Sequence, residues 1–247
     1  MKRILTFLCI ISWITIHPTD GIYILIHGTW GNKSEWYTPH GSFYKILEKT
    51  VQQLNYKVIS YTWSGSFDHN CRMLAGNILA KLIQSYPINT IINIVSHSHG
   101  GNVAVIASQV LAADSQNKHK INALFSFGIP VDTQYYMPNM SIIKKMYNFF
   151  SYKDKVQPIL GFYHREFPNL PRIANIRVCI ENKEPNHGQF TTDLVAHWIP
   201  HLHETLAEKM VGNFQHFEFT KPGSINFSSY DHIFYAVDIN RKPEYIT

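Results

Sequence analysis

Short continuous apolar runs recur along the chain, and amphipathic runs fill the gaps between them. The apolar runs span 22–27, 57–62, 90–96, 123–127, 145–150 and 175–180. Most lack the alternation of a half-exposed strand, which is the pattern of strands covered on both faces. The runs between them place apolar side chains at helical spacing. Residues 42–54 carry Phe43, Ile46, Leu47, Val51 and Leu54; residues 70–85 carry Leu74, Ile78 and Leu82. Residues 100–112 carry Val103, Ile106, Val110 and Leu111. Residues 190–210 carry Leu194, Trp198, Leu202 and Leu206, with a kink expected at Pro200. Strand and helix in alternation predict an α/β fold: a mostly parallel sheet with helices on both faces.

The 247 residues suit one large domain, expected over 21–247 with an extension after about residue 210. That tail holds aromatic strand-like pieces, FEFT and IFYAV, which can add edge strands or pack over the domain. A net charge of +5 invites a nucleic-acid partner. The cations are scattered, however, with pairs such as Lys144-Lys145 and Arg241-Lys242 as the tightest groups, so no nucleic acid is expected. Residues 1–20 begin with Lys2-Arg3 and continue as an uncharged, mostly apolar run. This reads as a signal peptide or N-terminal membrane anchor, hence an exported or membrane-associated protein. The competing reading is a strand leading into the core. After export Cys71 and Cys179 would remain, and spacing alone does not say whether they pair.

The run IVSHSHGGNVA, residues 94–104, joins a strand to a helix through a turn of small residues. A nucleophile gains from such a turn: it stands clear of the sheet, and the amides that follow face a developing oxyanion. Small residues are wanted two before and two after it, and Ser96 and Gly100 flank Ser98 at that spacing. A phosphate loop would need a lysine after the glycines, and none follows. His97 and His99 sit on a turn rather than a strand, a poor metal pair; neither a metal nor an organic cofactor is expected.

The S-H-S-H-G-G turn resembles the G-H-S-x-G-G elbow of lipase- and esterase-like α/β-hydrolases, with Ser96 in place of the first glycine. The resemblance covers residues 21–210, about the whole predicted sheet. In ILIHGTWG, residues 24–31, a strand ends in His27-Gly28, similar to the oxyanion loop of that superfamily. By resemblance Thr29 and His99 would supply the two oxyanion amides. The loop SYKDKVQP, residues 151–158, looks like a D-x-V-x-P acid loop carrying Asp154, with Asp132 as the competing acid. Asp154 can also be read as a local turn or helix cap. The loop before the last helix holds His187, followed by Gly188, a residue that lets the loop bend. His197, His201 and His203 are its rivals, within the helical pattern. The order Ser98, Asp154, His187 follows that of these hydrolases. His97 is expected to be a flank.

The resemblance implies a serine hydrolase of carboxylic esters, with lipids or other hydrophobic acyl groups as substrates. Residues 129–149 can wall an acyl pocket or simply pack, and the aromatic stretch near residue 165 can form a rim. Fold does not choose among ester, amide and thioester. Two alternatives stay open: an inactive exported protein that binds through the same fold, and a protein held on a membrane surface by its N-terminus.

Overall fold

The computed structural model describes residues 21–160, 164–209, 214–219, 224–229 and 234–238, with side chains as far as residue 202. The elements in chain order are β1 (Gly21–Ile26), α1 (Ser42–Gln52), β2 (Tyr56–Tyr61), α2 (His69–Gln84), β3 (Ile91–His97), α3 (His99–Ala113) and β4 (Ile121–Phe127). Then follow β5 (Ile143–Phe150), α4 (Val156–Leu160), β6 (Ile173–Ile180), α5 (Asp193–Lys209), β7 (Phe214–Phe219), β8 (Ser224–Ser229) and β9 (Phe234–Asp238). The strands make one sheet in the order β2-β1-β3-β4-β5-β6-β7-β8-β9. Pairing is parallel from β2 through β7 and antiparallel from β7 to β9. The tail therefore extends the sheet edge. The N-terminal run, residues 1–20, lies outside the described residues.

Both faces of the sheet are covered, as continuous apolar strands require. Along β1, Tyr23 and Leu25 face one layer with α1 and α5, where Phe43, Leu47, Trp198 and Ile199 are buried. Ile22, Ile24 and Ile26 face the other, with Leu79, Ile83, Val103 and Ile106 of α2 and α3. This two-residue alternation is the pleat itself.

The apolar stripe of α2 differs from the expected one. Leu74 and Ile78 are 63% and 50% exposed, while Ala75, Leu79, Ala80 and Ile83 are buried. Leaving two large side chains outside forgoes about 1.5–3 kcal/mol each. Close helix packing explains the choice: a Cβ on Gly76 would meet Ile106 Cγ2 at 2.4 Å. The small-residue face lets α2 approach α3, and the large side chains are turned away from that contact. The other stripes shift less. Ile46 and Val110 are half-buried beside the core, and Leu194 gives way to Val195 on α5. The α5 helix is continuous through Pro200, and the side chains of His203 and Leu206 lie outside the described ones.

Residues 129–149 pack rather than form a separate wall. Ile129, Val131, Tyr136, Ile142 and Met146 are buried against α2 and α3, and Tyr147 and Phe149 on the opposite layer. Phe167 of the aromatic stretch is also buried. Cys71 and Cys179 are not bridged; one lies on α2 and the other on β6.

Register decides where chemistry can collect. Ile26 of β1 pairs with Tyr61 and Ser96, and Phe127 of β4 pairs with His97 and Phe149. The carboxyl ends of these strands are level. The loops that leave them share one edge of the sheet, at the point between β1 and β3 where strand order reverses. Ligand crevices form there in open α/β sheets.

Candidate active site

Ser98 stands at the junction of β3 and α3 with φ 54° and ψ −136°. A non-glycine residue held there stores about 1–3 kcal/mol of strain, which the surrounding packing must offset. The turn is clamped on every side. A Cβ on Gly100 would lie 2.6 Å from the carbonyl oxygens of Ile26 and His27, and one on Gly101 2.6 Å from Ile129 Cδ1. A Cβ on Gly28 would lie 2.6 Å from Ser98 Cβ and 3.2 Å from Ser98 Oγ, so the His27-Gly28 loop lies directly against Ser98. Ser96 does more than stay small. Its hydroxyl contacts Ser126 Oγ at 3.1 Å and the Phe125 carbonyl at 3.2 Å, tying the elbow to β4.

The loop after β1 is held by its own histidine. His27 is fully buried; its Nε2 accepts from the Trp63 amide at 3.3 Å, so Nδ1 carries the proton and donates to the Gly28 carbonyl at 2.8 Å. Burial lowers its pKa and keeps the ring neutral. Thr29 follows. Among the described residues the Thr29 and His99 amides meet no protein acceptor. The Thr29 hydroxyl is buried and has no partner either. Unused buried donors beside a strained serine are where an oxyanion can be received.

Asp154 is fully buried at the end of the β5 loop. Its two oxygens divide the work that sequence reading left as alternatives. Oδ1 accepts from the Val156 and Gln157 amides at 2.9 and 3.1 Å, capping the short helix α4. Oδ2 accepts from His187 Nδ1 at 2.7 Å. A carboxylate on Nδ1 places the proton there and leaves Nε2 with its lone pair free to act as a base. Asp132 instead accepts from the Gln134 amide in a local turn. His197 and His201 lie along α5, and among the described residues neither bonds Asp154.

His187 opens a 3-10 turn, His187–Thr191, capped by Asn186 and Gln189 in a reciprocal pair. That cap, rather than Gly188, shapes the loop. A Cβ on Gly188 would meet only Asn186 Oδ1, at 3.9 Å, so the position does not require glycine.

His97 is more than a flank. Its Nε2 donates to the His187 carbonyl at 2.7 Å, and the two rings lie 4.7 Å apart. Burial, and then the neighbouring His187, push the His97 pKa down to about 3. The ring is therefore a neutral strut between the elbow and the His187 loop. Two further supports escape sequence reading. Glu184 accepts from the Tyr152 and Lys153 amides at 2.9 and 3.2 Å and pairs with Arg177. Arg165 donates to the carbonyls of Ser151 and Asp154 at 3.1 and 3.0 Å. Nothing in spacing marks residues that meet across 11 to 32 positions.

Solved structures similar to this chain include a hydrolase of the alpha/beta superfamily from Xanthomonas campestris pv. campestris. It is 14% identical with a TM-score of 0.46, over 75% of this chain and 99% of that one. Alpha/beta hydrolase domain-containing protein 10 from mouse is 15% identical with a TM-score of 0.47, over 76% and 90% of the two chains. A cutinase-like protein from Cryptococcus sp. is 15% identical with a TM-score of 0.36, over 45% of this chain and 54% of that one. The match thus spans about half the length of the Cryptococcus protein. No curated protein matches the chain. The family model for lipase (class 3) matches residues 23–160, a span that holds β1, the Ser98 elbow and Asp154. With a parallel sheet, a serine elbow and a match over more than half its length, the chain belongs to the class 3 lipase family.

Proposed function

We propose that the chain hydrolyses carboxylic esters through Ser98, His187 and Asp154. Family membership supports ester hydrolysis at the general level. The observation that carries the residue assignment is the 2.7 Å bond between His187 and the buried Asp154, in a loop bonded to His97, which precedes a serine held at positive φ. His187 Nε2 takes the Ser98 proton as Oγ attacks the acyl carbon. The carbonyl oxygen becomes an oxyanion, received by the Thr29 and His99 amides at the positive end of α3. The imidazolium then gives its proton to the departing alcohol, leaving an acyl-serine. Water deprotonated by His187 attacks that ester, and the acid leaves as Ser98 regains its proton.

Hydrophobic acyl groups suit the surroundings. Trp30 is 79% exposed and follows Thr29; Phe67 is 52% exposed and its ring meets His99; Ile159 is 73% exposed on the helix that Asp154 caps. Each is one contact from a reacting or supporting group. The basic-then-apolar N-terminal run supports export or association with a membrane surface.

A fluorophosphonate probe tests the nucleophile. It is expected to label the wild-type protein on Ser98, located by peptide mass, and to leave Ser98→Ala unlabelled. Absence of label on folded wild-type protein would favour a binding protein that has lost turnover. The Thr29 hydroxyl is assigned a share of oxyanion binding. Thr29→Val, nearly the same shape, is expected to lower kcat about 10²-fold with little change in KM. An equal rise in KM with kcat intact would point to ground-state binding instead.

A further inference from the structure

We propose that Arg72 and the ring N–H of His99 form a subsite for an anionic group of the substrate, a phosphate or a carboxylate, on the α2 side of the elbow. The inference rests on Ser98 as the esterase nucleophile and names the class of ester it serves.

Arg72 is 7% exposed. A guanidinium so deeply placed ordinarily meets a carboxylate. Here none lies within 4.0 Å among the described residues. Its contacts are neutral. Nε donates to Tyr136 Oη at 2.9 Å and Nη1 to the Phe67 carbonyl at 2.6 Å. The group also lies over the Phe67 and Tyr136 rings, 5.8 and 5.5 Å from their centroids. Asp68, four residues earlier, and Asp132, which acts on Tyr136, are engaged elsewhere. Asp68 caps Asn70 and contacts Cys71 Sγ, and Asp132 accepts from Gln134. The positive charge is held in place with no carboxylate within 4.0 Å, and Nη2 has no partner among the described residues.

His99 supplies the second donor. Asn102 Nδ2 contacts both His99 Nδ1 at 2.9 Å and the Pro130 carbonyl at 3.3 Å. The carbonyl can only accept, which fixes the amide as the donor. His99 Nδ1 therefore accepts, and the ring proton sits on Nε2. That nitrogen is buried and unpartnered. Burial and the nearby Arg72 charge push the His99 pKa down to about 3, so the ring stays neutral.

The two donors meet the same side chain. The His99 and Phe67 rings are 5.8 Å apart, edge to face, and Arg72 lies over that same Phe67 ring. His99 follows Ser98 directly in the chain. A cation and a buried N–H thus lie against one Phe67 ring next to the elbow, and an anionic oxygen group is assigned to serve both. A plain alkyl chain would leave both bare, at a cost that a substrate acceptor removes.

Matched ester pairs test this. A short-chain diacylglycerol is compared with its 3-phosphate, which carries the charge on the alcohol side. Nitrophenyl butyrate is compared with nitrophenyl hydrogen glutarate, which carries it on the acyl side. In wild-type protein one anionic member is expected to exceed its neutral partner in kcat/KM by about 10- to 100-fold. The pair that shows the preference identifies the side that reaches Arg72. Arg72→Gln is expected to bring that ratio close to one, and Arg72→Lys to retain part of it. Ratios near one in both wild-type pairs, or a preference that survives in Arg72→Gln, would overturn the proposal. Thermal melts report whether Arg72→Gln folds. If it does not, Arg72→Lys decides, and is expected to lose part of the preference. A preference undiminished in folded Arg72→Lys overturns the assignment. Failure of the Ser98 reading looks different, with no turnover of any of the four esters and no fluorophosphonate label, and overturns both.

Discussion

In an Asp154→Asn variant, kcat on a short-chain nitrophenyl ester is expected to fall by about 10⁴-fold while the fold persists. The geometry explains why so small a change acts so strongly. Asparagine keeps a carbonyl oxygen that can still accept from the Val156 and Gln157 amides, so the cap on α4 survives. The other arm becomes an NH₂ facing His187 Nδ1, where a carboxylate oxygen accepts at 2.7 Å in the native protein. An amide donor there makes Nδ1 the acceptor and moves the ring proton to Nε2. The imidazole then carries N–H rather than a lone pair at Nε2 and, in the proposed mechanism, cannot take the Ser98 proton. Asp132→Asn is expected to keep nearly full kcat, because Asp132 serves only its local turn. Steady-state kinetics with thermal melts on both variants check this. The reverse ranking, with Asp132→Asn inactive and Asp154→Asn active, would overturn the assignment of the acid.

Acidification is the second large effect. His97 and His99 are each held neutral, their pKa values pushed down to about 3, mainly by burial. In the unfolded chain each returns to about 6.5. Between those values the unfolded chain binds protons that the folded chain refuses, so stability falls as pH falls. The contribution is complete above about pH 6.5 and is lost progressively toward pH 3. Burial lowers His27 in the same direction. The combined loss is on the order of several kcal/mol, comparable with the 5–15 kcal/mol that holds an ordinary domain folded. Melting temperature is therefore expected to drop steeply between about pH 6.5 and 4. His97→Gln keeps a donor for the His187 carbonyl but does not titrate, so its melting temperature should fall less over the same range. Identical slopes for the two proteins would show that His97 is not a source of the acid sensitivity.

Much of the fold was legible because strand and helix periodicity is a local property. The runs at 22–27, 57–62 and 90–96 became β1, β2 and β3 within a residue or so of their ends. The elbow was legible for the same reason: Ser96, Ser98 and Gly100 are all within one turn, and their sizes report its crowding. Legibility failed where a contact with a distant element overrode local pattern. The α2 stripe was misplaced because hydrophobicity marked Leu74 and Ile78, whereas the helix is seated by Gly76 against Ile106. The short helix α4 carries too few residues for a periodic signal, and its start depends on a side chain that also serves His187. His97 looked like a bystander because its partner carbonyl lies 90 residues away.

The sequence by itself determined an alternating α/β chain, the crowded strand–turn–helix at Ser98, and three polar loops in the order serine, aspartate, histidine. Those features follow from steric and hydrophobic rules that act within a few residues. Only the tertiary structure decided which acid meets His187, which ring braces its loop, and that Arg72 is buried with no carboxylate within 4.0 Å among the described residues. Each depends on the register that levels the ends of parallel strands, and on which loops that register brings within hydrogen-bond reach. A hydrogen bond requires placement within a few tenths of an ångström, and no local pattern carries that information across the chain.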